Sequence, residues 1–257
     1  MERRIHGLYV IIDPEACRGR RPLDVARQAL DGGASMLQWR DKRRHEEQQY
    51  SDARAIAALC RERGALCIVN DYPGLALAAE ADGVHVGQDD FPMYEQRLTG
   101  LRWMLSSAPS DEELRTAAPT SSDYSAALRA RTPGETAQPP PAARRVIIGI
   151  STNTAEEARR AEAAGADYVA VGAIFPTQSK DTTRPASLER LREVKAAVGV
   201  PVVAIGGIDA SNIGSVIEAG ADAAAVISAV CAADDPRAAA AELSAAFKNL
   251  HGSTTTT

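Results

Sequence analysis

A chain of 257 residues, 45% of them hydrophobic, holds enough apolar material for one large domain or two small ones with a real core. Its 29 Lys and Arg against 34 Asp and Glu leave a formal charge of −5, which argues against a protein whose main work is gripping nucleic acid. No apolar run approaches the roughly 20 residues of a membrane helix, and no secretory signal core follows the first arginines. Cys17, Cys60, Cys67 and Cys231 lack metal-ligand or disulfide spacing, so buried free thiols and a cytoplasmic setting are expected.

Along the chain, short apolar runs alternate with helical stretches, the rhythm of βα units around a parallel sheet. Strands are predicted at Leu8–Ile12, Met36–Trp39, Leu66–Val69, Gly83–Val86, Val146–Ile150, Tyr168–Val171, Val202–Ile205 and Ala223–Ile227. Helices are predicted between them, at 22–32, 46–63, 73–81, 154–164, 187–198, 211–219 and 235–249. Eight strands in this rhythm predict an α/β fold, a (β/α)₈ TIM barrel forming a single domain over 1–250, with a doubly wound open sheet as the alternative. Gly33, Gly165 and Gly220 stand where a helix ends and a strand begins, a position that favours left-handed backbone.

The rhythm breaks between Phe91 and Arg145. This stretch turns polar and Pro-rich and ends near Pro139, Pro140 and Pro141, which neither continue a helix nor fit a central strand. A long insertion between strands 4 and 5, exposed or disordered over about 106–143, is therefore expected. Leu101–Leu105 competes for the fifth strand, but Val146–Ile150 is preferred because its sequel is better placed for chemistry. The tail 251–257 has nothing to bury and is expected to be disordered.

In a barrel of this kind the active site forms where the strands end. After strand 2, Gln38, Arg40 and Lys42 fall on one side of an extended chain, either as an amide and two cations facing a ligand or as a solvated strand end. Strand 3 ends at Asn70 and Asp71, and strand 4 runs into Asp89 and Asp90. Asp71 and Asp90 suit a magnesium ion, while capping of the next helix is the competing role for the paired aspartates. His85, inside strand 4, reads as structural. After strand 5, Ser151 is followed by Thr152, Asn153 and Thr154, where helix capping and anion binding are both open. The loop of 175–185 carries hydroxyls and two cations, Lys180 and Arg184, and suits a lid over phosphate or a charged loop without ligand. Gly206 and Gly207 after strand 7, with Ile227 and Ser228 after strand 8, suit a monophosphate site. Two anion sites on one rim point to group transfer with loss of pyrophosphate, since neither a Ser/His/Asp triad nor an activated cysteine presents itself.

Taken in order, Leu37–Lys42, Val69–Asp71, Gly83–Asp90, Gly149–Thr152, Phe175–Lys180, Ile205–Ile208 and Val226–Ser228 resemble the motifs of the thiamine-phosphate synthase family. The resemblance covers nearly the whole chain outside roughly 91–145 and the termini. It implies a transferase of thiamine biosynthesis that condenses hydroxymethylpyrimidine pyrophosphate with thiazole phosphate, using Mg²⁺ and a dissociative substitution. It further implies that Gln38 and Asn70 hold the pyrimidine, and that Arg40, Lys42, Ser151 and Lys180 hold the pyrophosphate and carry the catalytic role. Asp71 and Asp90 would bind the metal, Thr177 and Ser179 would meet the thiazole, and Gly207, Ile227 and Ser228 would bind its phosphate. Ser179 stands where the family more often has threonine, and Ala173 where it often has proline. The expected partners are phosphorylated small molecules, without nucleic acid or membrane, and a homo-oligomer is compatible with this. Two alternatives are a thiazole tautomerase-like isomerase and a catalytically inactive barrel that binds phosphorylated ligands. Retention of Arg40, Lys42, Asp71 and Asp90 favours the synthase over both. A third, another phosphate-binding barrel enzyme, leaves the motif order unexplained.

Overall fold

A computed structural model describes residues 5–42, 46–87, 146–177 and 187–252. Eight parallel strands close into a barrel in chain order: β1 (Gly7–Ile12), β2 (Met36–Trp39), β3 (Leu66–Asn70), β4 (Gly83–Val86), β5 (Ile147–Thr152), β6 (Tyr168–Val171), β7 (Val202–Ile205) and β8 (Ala223–Val226), with β8 pairing back onto β1. The (β/α)₈ expectation is met and the open sheet is excluded. β4 pairs directly with β5, His85 opposite Gly149, so Ile147–Thr152 holds the fifth-strand position. The rival Leu101–Leu105 and the insertion of about 106–143 lie outside the described residues.

The described helices are α1 (Pro22–Asp31), α2 (Glu46–Arg63), α3 (Pro73–Ala78), α4 (Ala155–Ala163), α5 (Leu188–Ala197), α6 (Ile213–Glu218), α7 (Ser228–Cys231) and α8 (Pro236–Gly252). Gly33, Gly165 and Gly220 take φ of 97°, 99° and 96°, and each closes its helix by donating to the carbonyl three residues back. α3 is shorter than the predicted 73–81. Its terminator is Glu80, at φ 56°, whose N–H meets the Leu77 carbonyl while the Ala81 N–H meets that of Ala76. A non-glycine residue in this role leaves no mark in the sequence. α8 continues through Gly252, beyond the expected start of the tail, and 253–257 lie outside the described residues. α7 had no counterpart in the sequence reading, and it starts right after Ile227, which ends the strand one residue early.

Side-chain alternation divides the apolar residues in two. Leu8, Val10, Leu37, Val69, Val84, Ile148, Val169 and Ala224 face the helices. Tyr9, Ile11, Met36, Leu66, Ile68, Tyr168, Val203 and Ala225 fill the barrel interior. At the rim where strands begin, Asp82, Asp167 and Asp222 each turn a carboxylate back to the preceding strand. They accept from the N–H of Cys67, Ile148 and Val202 at 2.9, 2.8 and 2.7 Å. Asp222 also accepts from Lys195 Nζ at 2.6 Å. These charge-assisted bonds sit at the end of the barrel where function is not expected, and they hold neighbouring strands in register.

Candidate active site

At the other rim the strand ends gather most of the sequence-predicted residues. Gln38 and Arg40 both occupy interior-facing positions of β2 and its extension, as alternation requires, whereas Lys42 is exposed. Arg40 donates through Nη1 to Asp13 Oδ2, and both side chains are mostly buried, at 15% and 12% exposure. Asp13 Oδ1 accepts from the Glu15 N–H at 3.0 Å. One edge of the guanidinium is thus spent on orientation, and a five-donor fork retains others for an anion.

Asn70 ends β3, and Asp71 follows with φ 61°. Its backbone N–H reaches across to the His85 carbonyl at 2.8 Å, and Asn70 Nδ2 donates to Asp71 Oδ2 at 2.6 Å. α3 begins after Tyr72, so Asp71 is not its N-cap. A carboxylate fixed by a neighbouring amide and a left-handed backbone at the barrel mouth suits a cation that takes one or two protein carboxylates with water and phosphate oxygens. Asp90, Ser179 and Lys180 lie outside the described residues.

Ser151 sits at an interior-facing position near the end of β5, with Oγ 3.0 Å from His85 Nε2. Capping in the next turn falls to Thr154, whose hydroxyl accepts from the Glu157 N–H at 3.1 Å in a reciprocal capping box. The hydroxyl of Thr152 turns toward the Ala170 carbonyl at 3.4 Å. Ser151 is therefore separated from the capping residues that follow it.

Thr177 closes the described part of the loop after β6 and is partly exposed. Gly206 and Gly207 turn at φ 99° and 64°, directly against that loop. A Cβ on Gly207 would lie 2.6 Å from the Pro176 carbonyl oxygen, and the Gly207 carbonyl accepts from Asn212 Nδ2 at 2.9 Å. Ile227 is half-buried and Ser228 exposed at the start of α7. The missing side chains of Gly206 and Gly207 thus let the β7 end pack directly on the loop after β6.

Three groups escaped the sequence reading. Asp13, at the first strand end, was passed over although an aspartate there is as informative as one on β3. Tyr9 and Tyr168 point into the barrel at 2% and 0% exposure, among aliphatic neighbours. Burial pushes both phenols well above the ordinary tyrosine range, so both are neutral. Their signal was a hydroxyl-bearing aromatic at an inward strand position, in β6 beside the glycine of β5. Gly149 leaves that space: a Cβ there would fall 2.0 Å from Tyr168 Cζ.

Comparison with known proteins bears on the family and the fold. A family profile described as thiamine monophosphate synthase matches residues 8–131 and 134–230. It crosses most of 91–145, which the sequence reading had set outside the resemblance, so the likeness is broader than the motifs alone suggested. Thiamine-phosphate synthases of Methanospirillum hungatei and Methanoculleus marisnigri are 38% and 41% identical, covering 91% and 93% of this chain and 93% of each relative. The solved thiamine phosphate pyrophosphorylase of Pyrococcus furiosus superposes with a TM-score of 0.71 at 32% identity, over 95% of this chain and 96% of that one. A 3-hexulose-6-phosphate synthase, at 18% identity and a TM-score of 0.57 over 94% of this chain and 99% of its own, shares the fold alone. A family match over most of the chain, joined to relatives above one-third identity along nearly their full length, shows that the chain belongs to the thiamine monophosphate synthase family of transferases.

Proposed function

We propose that this enzyme joins hydroxymethylpyrimidine pyrophosphate to thiazole phosphate, releasing pyrophosphate and thiamine phosphate by a dissociative substitution assisted by Mg²⁺. The observation that carries the reading is the convergence of Gln38, Arg40, Asn70, Asp71, Ser151 and Gly207 on the C-terminal ends of strands β2, β3, β5 and β7 of one closed barrel. Gln38 and Asn70 hold the pyrimidine, and Arg40, Lys42, Ser151 and Lys180 hold the pyrophosphate. Thr177 and Ser179 face the thiazole, whose phosphate rests on Gly207, Ile227 and Ser228. Asp71, with Asp90, would hold Mg²⁺, which when bound supplies charge neutralisation for the departing pyrophosphate. The carbon–oxygen bond to pyrophosphate breaks first, the aminopyrimidine stabilises the methylene cation, and the thiazole nitrogen captures it. The chain's own work is to hold both reactants within reach and to meet the charge on the leaving group with donors already in place. Buried free cysteines fit a cytoplasmic setting. Among the described residues no helix is long and apolar enough to cross a membrane.

The test supplies both substrates to purified protein across a magnesium titration and quantifies thiamine phosphate and pyrophosphate together. Magnesium-dependent, equimolar products are expected, and absence of product from folded protein overturns the reading. Asp71→Asn should lower kcat about a hundredfold and shift the magnesium requirement upward, consistent with several kcal/mol of charge stabilisation. An unchanged magnesium curve removes Asp71 from the metal site.

A further inference from the structure

Five side chains from five strands form one hydrogen-bonded chain through the barrel. Gln38 Nε2 donates to Tyr9 Oη at 2.7 Å, Tyr9 Oη lies 3.2 Å from Tyr168 Oη, Tyr168 Oη lies 3.1 Å from His85 Nδ1, and His85 Nε2 lies 3.0 Å from Ser151 Oγ. The His85 ring stacks on Tyr168 at 5.6 Å between centroids and 21° between planes. Tyr168 reaches β4 from β6 because β5 carries glycine between them: Gly149 is registered with both His85 and Tyr168.

Such a chain has a direction. A neutral phenol carries one proton, so each tyrosine donates once. Gln38 Nε2 donates to Tyr9 and cannot accept, so the Tyr9 proton is directed to Tyr168. The Tyr168 proton goes to His85 Nδ1, which must be the bare nitrogen. The imidazole proton therefore sits on Nε2 and is given to Ser151, whose own hydroxyl proton is turned away from His85. Rotating the Gln38 amide by half a turn reverses every step and sends the Ser151 proton back to His85. Phosphate oxygens only accept hydrogen bonds, so only the first direction makes Ser151 a donor to a phosphate group.

We propose that His85 is a positioning residue, held by Tyr168 as the Nε2–H tautomer, and that the direction of the chain, set at the Gln38 amide, makes Ser151 a hydrogen-bond donor to the pyrophosphate group. In the same orientation the Gln38 carbonyl oxygen is turned from Tyr9 and suits a donor such as an exocyclic amino group. A ligand ring that donates to Gln38 thereby enforces the direction that grips its phosphate, and ring recognition and anion binding become coupled. The tautomer follows from the chain with Gln38 Nε2 directed at Tyr9. The donor role of Ser151 rests on the proposed synthase reading.

The experiment has two readouts, neither requiring turnover. Histidine-selective ¹⁵N labelling of the full chain at pH 8, above the ordinary imidazole range, gives the tautomer of each of the four histidines by long-range proton–nitrogen correlation, His85 being assigned by its loss in His85→Gln. A bare Nδ1 and protonated Nε2 are expected in the wild type, with mixed tautomers in Tyr168→Phe. A protonated Nδ1 in the wild type overturns the proposal whether or not a variant folds. Calorimetry with inorganic pyrophosphate and magnesium then compares His85→Gln, which keeps a donor near the Nε2 position, with His85→Asn, which does not. About a tenfold weakening in His85→Asn and about threefold or less in His85→Gln are expected from the loss of one bond to a charged group. The difference should vanish in a Ser151→Ala background. Equal weakening in both variants overturns the donor role. The product assay on wild type decides the synthase reading separately, so a correct tautomer without thiamine phosphate would indict that reading and leave the chain intact.

Discussion

The absent side chain of Gly149 decides where the Tyr168 ring lies. Gly149→Ala would place a methyl group inside that ring, and the ring must leave its stack on His85. The expected cost is about 1–3 kcal/mol by urea denaturation, the range of overpacked cores, with loss of the His85 tautomer preference in the nitrogen spectrum. Asp13 is the other single residue on which much rests. Asp13→Asn removes the charge that orients a mostly buried Arg40 and should destabilise the fold by about 1–3 kcal/mol. An unaltered denaturation midpoint would show that Arg40 is held by other means. The two buried phenols carry a pH consequence. Their native pKa values lie above the ordinary 10.0, so the unfolded chain binds fewer protons than the folded one as pH rises through 10. Stability from this source is complete below pH 10 and falls above it. A Tyr9→Phe/Tyr168→Phe double variant should show a shallower alkaline loss in a pH series of thermal melts.

At the level of strands and helices, the repeated Gly-Ala-Asp joints do two jobs at once. The glycine ends the helix, and the aspartate two residues later brackets the preceding strand, as in Gly165 with Asp167 and Gly220 with Asp222. Asp167→Ala should cost about 1.5–3 kcal/mol, the worth of a bond to a charged group, and leave kcat and KM for both substrates unchanged, because the change lies at the opposite rim from the site. A drop in turnover at full folding would contradict that separation. The glycine half of this device was legible in the sequence, since it follows from backbone sterics alone. The aspartate half was not, because its partner is the N–H of a residue about 20 positions away. The same limit explains the site. Gln38, Arg40, Asn70, Asp71 and Ser151 could be read from strand-end position, one strand at a time. The Tyr9–Tyr168–His85 connection could not, since it needs the register of three strands and the space over Gly149. His85 read as structural because a lone histidine in a strand carries no direction until its neighbours are known.

For the whole molecule, closure of the barrel is expected to survive a break in the covalent path between strands 4 and 5. β4 and β5 are joined by their own parallel ladder, and each is also held on its other edge. A protease site introduced within 134–143 should therefore yield two fragments on a denaturing gel that still migrate as one species in gel filtration. Separation of the fragments would show that the connection itself holds the halves together. The fold class was readable from rhythm because eight short apolar runs with intervening helices admit few architectures. The motifs carry the resemblance only outside roughly 91–145, because that stretch holds no strand-end motif, whereas the family match covers all of it but 132–133.

The aspartate brackets lie at one end of the cylinder and the candidate site residues at the other. The stability that the brackets contribute can therefore be changed without touching the residues at the other rim. A lineage can harden or soften the base of this barrel to suit its habitat without renegotiating the chemistry at the mouth. An engineer can do the same, tightening the brackets first so that riskier changes around Gln38 and Ser151 are made on a scaffold with stability to spare.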